Sequence, residues 1–126
     1  VIKVRANIPD ELIKAINEKI YLDLELHILQ KKLTEANDQG KEGFAEYLNK
    51  VILKVISQRR SNNEYLRKHG VKVREPEELD DMFVRYYYSV QSDLGGYKEG
   101  YEQFWKSAMT YNLRKRMNKY FNFKGG

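Results

Sequence analysis

From Leu12 to about Asn37, apolar residues return at helical spacing. Leu12, Ile13, Ile16, Ile20, Leu24 and Ile28 set the row, and Leu22, Leu26, Leu29 and Leu33 widen it. No Pro or Gly interrupts the run, and so broad an apolar arc predicts a long helix touching at least two neighbours. Pro9 supplies a φ suited to a first helical turn, and Asp10 and Glu11 put negative charge where the helix dipole favours it. Ahead of Pro9 the pattern has period two, with Ile2, Val4, Ala6 and Ile8 on one side and Lys3, Arg5 and Asn7 on the other. That alternation predicts a short strand or an extended lead-in. Asn37-Asp38-Gln39-Gly40 reads as a loop.

A second helix follows. Phe44, Leu48, Val51, Ile52, Val55, Ile56, Arg59 and Leu66 share one face, while Glu46, Lys50, Lys54 and Arg60 lie elsewhere. It should end at Gly70, with Arg67, Lys68 and His69 in a last turn where cations suit the dipole. Two long helices joined by a short polar loop predict an antiparallel hairpin, whose wide apolar faces need the C-terminal third as a cover.

In that third, Val71-Lys72-Val73 is a brief extended link. Glu77 and Glu78, followed by Leu79, Met82, Phe83 and Tyr86 at helical spacing, predict a third helix, although Val84–Val90 is equally strand-like in composition. Gly95-Gly96 breaks the chain. A fourth helix is predicted from about Lys98 to Tyr120, with Tyr101, Phe104, Trp105, Ala108, Met109, Leu113, Met117 and Tyr120 inside. The expected fold is all-α: one helical-bundle domain over residues 1–126, built on a long antiparallel hairpin. Residues 1–9 should be extended and the tail 121–126 should fray.

The length of 126 residues suits one domain. Without Cys there is no disulfide framework, thiolate metal site, redox motif or Cys nucleophile. No apolar run approaches the roughly 18 residues of a membrane span, and no signal-peptide pattern opens the chain. The expectation is a soluble cytosolic protein. The formal charge of +5 hides strong segregation: residues 41–74 and 103–126 each carry a balance of +6, and residues 75–102 carry −6. Opposite blocks can pack together, or a basic surface can stay open for an anionic partner.

Catalytic chemistry finds little support. His27 lies one helical turn after Asp23, but two ligands are too few for a metal site. His69 suits a helix C-terminus. Glu77, Glu78, Asp80 and Asp81 form an acidic cluster without the spacing of a calcium loop. Gly95-Gly96 and Gly100, with Lys98, match neither a P-loop nor a dinucleotide fingerprint. The chain is therefore expected to be no enzyme and to need no metal or cofactor.

Two binding signals remain besides these. Lys3, Arg5 and Asn7, followed by Pro9-Asp10-Glu11-Leu12, resemble the opening of ribbon-helix-helix repressors over residues 1–16. That resemblance implies a two-stranded ribbon of a dimer placing these polar side chains in the DNA major groove. The family's first helix is short, whereas the one predicted here runs on unbroken. Independently, Lys106, Arg114, Lys115, Arg116 and Lys119 interleave with Tyr111, Tyr120, Phe121 and Phe123, a combination suited to phosphate contact and base stacking.

The aromatic distribution points to a surface. Of 16 aromatic residues, most fall between Phe83 and Phe123, and Tyr86-Tyr87-Tyr88 cannot all face inward on either a helix or a strand. Tyr86, Tyr87, Tyr88, Tyr97 and Tyr101 are the candidate interface residues, because surface tyrosine buries much area at little entropic cost. The expected function is non-catalytic protein interaction or regulation, by a partner or by self-association as a homodimer. The alternative is nucleic-acid binding through the basic helix or the N-terminal Lys/Arg strand.

Overall fold

The computed structural model describes residues 8–92 and 94–121. The N-terminal alternation at Lys3, Arg5 and Asn7, and the tail beyond Phe121, lie outside the described residues. Helices α1 (Asp10–Asp38) and α2 (Glu42–Lys68) form the antiparallel hairpin that the periodicity predicts. The Pro9 carbonyl accepts the N–H groups of Leu12 and Ile13 and starts α1. After α2, Gly70 takes φ +67°, a left-handed geometry natural to glycine, and turns the chain into a strand.

The C-terminal third differs from expectation, and the fold is mixed α and β, not an all-α bundle. Strands β1 (Val71–Val73), β2 (Glu77–Glu78), β3 (Phe83–Gln91) and β4 (Tyr97–Trp105) form one antiparallel sheet, followed by helix α3 (Lys106–Asn118). The predicted third helix is thus β2, a turn and β3, and the first half of the predicted fourth is β4. The reason lies in the hairpin. Ser92–Gly96 closes on itself through the Ser92 N–H and the Gly96 carbonyl, and Gly95 and Gly96 take positive φ. Once Gln91 and Tyr97 face each other, the β-branched and aromatic residues of 83–91 pair along nine positions with β4.

β3 is the central strand, with β1 and β2 successively along one side and β4 along the other. Its burial alternates: Val84, Tyr86, Tyr88 and Val90 are buried, while Phe83, Arg85, Tyr87 and Ser89 are half-buried on the opposite face. The buried row packs on Leu12, Ile13, Ile16, Ile20 and Tyr21 of α1, with Leu66 and Met109. A second cluster lies farther along the hairpin, where Leu22 and Leu29 meet Leu48, Val51, Ile52 and Val55 of α2 with Met117 and Tyr120. No helix among the described residues is long and apolar enough to cross a membrane.

Candidate binding surface

Since α1 covers one face of the sheet, the side chains of the other face are left on the outside. Period two sends alternate residues of β3 and β4 there. Across the two strands the outward pairs are Phe83 with Trp105, Arg85 with Gln103, Tyr87 with Tyr101, Ser89 with Glu99, and Gln91 with Tyr97. Aromatic rings therefore stand in register. Phe83 and Trp105 stack with centroids 6.5 Å apart at 19°, and Tyr87 and Tyr101 meet edge-to-face at 5.8 Å. Trp105 is 48 % exposed and Tyr97 69 % exposed, far more than core packing leaves open.

Arg85 stands between the aromatic pairs. Its Nε and one terminal nitrogen donate to Gln103 Oε1 at 3.1 and 2.6 Å, and the other terminal nitrogen donates to the Tyr87 hydroxyl at 3.2 Å. The guanidinium carbon sits 3.9 Å from the Tyr101 ring centre, a cation–π contact. The Tyr87 hydrogen bond comes first in raising its pKa above the ordinary arginine value. Bonded on two sides and stacked on a third, this arginine is fixed in place on an open surface. Beside it, Arg74, Tyr87, Glu99 and Tyr101 border a shallow cleft of about 390 Å³.

The predicted interface residues divide by this geometry. Tyr87, Tyr97 and Tyr101 lie on the outer face. Tyr86 and Tyr88 lie on the inner one, where Tyr86 packs edge-to-face on Phe104 and Tyr88 is 1 % exposed. Reasoning from the residues missed Phe83, Arg85, Gln103 and Trp105. The strand register would have found them, as each is an odd-numbered position like Tyr87 and Tyr101.

The five basic candidates of 106–119 do not form one patch. Lys106 donates to Glu78 at 3.2 Å. Arg116 turns inward, donating to Glu25 at 2.5 Å and to both Glu18 carboxylate oxygens at 2.9 and 3.0 Å. Lys115 lies over the Tyr111 ring and Lys119 over the Tyr120 ring, and Arg114 and Lys115 on α3 and Lys119 just after it are exposed. Arg116 serves structure: Glu25 is fully buried, and the Tyr120 hydroxyl donates to its other oxygen at 3.0 Å.

The remaining titratable clusters also have structural partners. Asp23 accepts from Lys19 at 2.9 Å and Arg59 at 2.5 Å, and His27 is exposed. His69 contacts the Tyr65 carbonyl at 2.8 Å, and its ring packs tilted at 37° against the Tyr65 ring. In the acidic cluster, Asp80 accepts the N–H groups of Met82 and Phe83, fixing the turn into β3. Among the described residues, no three His, Asp or Glu gather where they could hold a metal ion.

No curated protein and no solved structure matches the chain. Nearly all of it, residues 7–124, matches the family model described as YhjD protein, and the chain belongs to that family.

Proposed function

We propose that this is a non-catalytic cytosolic binding protein that engages another protein through the outer face of its sheet. The observation that carries the reading is the uncovered aromatic row: Trp105 and Tyr97 exposed, Tyr87 and Tyr101 paired, and Arg85 locked among them. Tyrosine, tryptophan and arginine are the residue types that dominate protein interfaces. Their rotamers are already restricted by cross-strand contacts, so ordering them on binding costs little.

The charge of the face favours a protein over a nucleic acid. Lys72, Arg74 and Arg85 are matched there by Glu77 and Glu99, and the turn leading into β3 adds Asp80 and Asp81 at the rim. A phosphate chain crossing this surface meets as much repulsion as attraction. The nucleic-acid alternative has the exposed Arg114 and Lys115 of α3 and the following Lys119 in its favour, without the inward-turned Arg116.

Photocrosslinking distinguishes the two. A benzophenone amino acid placed at Tyr97 on the sheet, or at Tyr111 on α3, is activated in cells. The proposal expects a discrete protein adduct at position 97 that disappears when Arg85→Glu is added. Adducts confined to position 111, or adducts destroyed by nuclease, would overturn it.

A further inference from the structure

The open edge of β4 carries an inference that does not depend on what the aromatic face binds. Hydrogen-bond parity across the sheet determines which backbone groups β4 presents outward. On β3, the Phe83 and Tyr87 carbonyls accept from Leu79 and Arg74, and the Gln91 N–H donates to the Gly70 carbonyl. Odd-numbered residues of β3 thus point their backbone toward β1 and β2. The even-numbered ones point toward β4, where they meet Lys98, Gly100, Glu102 and Phe104. Consistently, the Lys106 N–H donates to Met82 at the end of the ladder. It follows that Tyr97, Glu99, Tyr101, Gln103 and Trp105 direct their N–H and C=O groups away from the sheet. These are also the residues of the outer face.

Among the described residues no strand pairs with that side of β4. Helix α3 does not cover it, since Asn112 and Arg116 carry it across α1 to Tyr21, Glu18 and Glu25. Among the described residues this edge runs unpaired for nine positions, long for a sheet rim, and proteins that keep such edges apart place Pro, a bulge or charged side chains, inward ones included, along them. β4 has no Pro and pairs with β3 without a bulge; of its two inward charges, Glu102 is already buried within the protomer and Lys98 lies next to the strand's first residue.

We infer that β4 pairs antiparallel with β4 of a second copy, about a two-fold axis through Tyr101. Self-pairing of identical strands must match outer-face residues with outer-face residues, so the axis passes through a residue position and not between two. Centring on Tyr101 uses the whole strand: Tyr97 meets the other copy's Trp105, Glu99 meets Gln103, and Tyr101 meets itself. No like charges oppose each other, and the outward backbone groups make about ten hydrogen bonds. Centring on Glu102, one residue later, sets Lys98 against Lys106; centring on Gly100 strands Phe104 and Trp105 without a partner. The chosen register also fuses the two aromatic faces into one continuous surface across eight strands, with new Tyr–Trp neighbours at both ends.

The test is sedimentation velocity of the full chain over a range of concentrations, with two variants. Tyr101→Lys places like charges on the axis at a half-buried position of the outer face. Gln103→Pro removes an N–H that points outward and takes no bond from β3. Both must retain the wild-type circular dichroism spectrum. The inference expects a wild-type dimer, with each variant weakening association at least about tenfold. Hydrogen exchange should show the amides of Glu99, Tyr101 and Gln103 protected only at concentrations where the dimer forms. A monomer at every concentration, a dimer unaffected by both variants, or amides protected equally in the monomer would overturn the inference. The last result would place another segment of the same chain on the edge.

Discussion

Arg116 shows how a single side chain can look like a binding residue in sequence and serve as a fastener in the fold. Its guanidinium joins the fully buried Glu25 to Glu18 and lies 5.3 Å from the Tyr21 ring. Removing it leaves Glu25 buried with only the Tyr120 hydroxyl, so Arg116→Ala should cost about 3–5 kcal/mol in denaturant melts. The same cluster predicts opposite responses at the two ends of the pH scale. Glu18 is held below the ordinary carboxylate pKa, chiefly by its hydrogen bond to Arg116. Its contribution is complete above the unfolded pKa near about 4.3 and is lost as pH falls through the depressed folded value. Tyr120 is pushed well above the ordinary phenol value, first by burial and then by the Glu25 charge. Above about pH 10 the unfolded tyrosine ionises while the folded one resists, and stability should decline. Tyr120→Phe should lower stability at neutral pH and flatten that alkaline decline. Melts at pH 8 and 10.5 would check both effects.

At the scale of elements, the hairpin was legible and the sheet was not. α1 and α2 announce themselves because each has an apolar side and a polar side. Ile52 faces the core and Ile56 only borders it, so Ile52→Ala should cost about 2–4 kcal/mol and Ile56→Ala less. Strand β3 lacks such contrast. Its outer face carries Phe83 and Tyr87 where a solvated strand would carry polar residues, so period two vanishes and the 79/82/83/86 spacing imitates a helix. The uncovered aromatic residues that make the candidate surface are thus the ones that obscured the strand. The tyrosine argument survived the wrong element, because a run of three consecutive rings must leave one facing outward in either geometry; its identity, Tyr87, needed the register. Tyr88→Ser should accordingly destabilise by about 3–5 kcal/mol, against at most about 1 kcal/mol for Tyr87→Ser. Gly70 offers a sharper test of the turn between α2 and β1. A Cβ there would lie 2.7 Å from the Gln91 Cβ in a left-handed conformation. Gly70→Ala should cost about 2 kcal/mol or more, whereas Gly95→Ala, with open space around it, should cost only the backbone strain of about 1–2 kcal/mol.

For the molecule as a whole, α1 is longer than either core it serves. Its first half packs on the sheet with Tyr86, Tyr88 and Met109, and its second half packs on α2 with Met117 and Tyr120. Leu113 borders both clusters, so α3 bridges the two halves of the hydrophobic interior. Sequence could not reveal this division, because the bridge joins residues about ninety positions apart in the chain, as the Arg116–Glu25 and Asn112–Tyr21 contacts do. The arrangement makes cooperativity depend on α3. With the bridge intact, amides in the middle of α1, α2 and β3 should all exchange at the free energy of global unfolding. Leu113→Ala removes the shared contact, and the distal hairpin around Leu29, Leu48 and Val55 should then open at lower free energy than Tyr86 and Tyr88 in the sheet. Native-state hydrogen exchange under low denaturant would separate the two groups of amides. If both groups fall together in the variant, α1 alone is stiff enough to couple the cores, and α3 acts only as a cover.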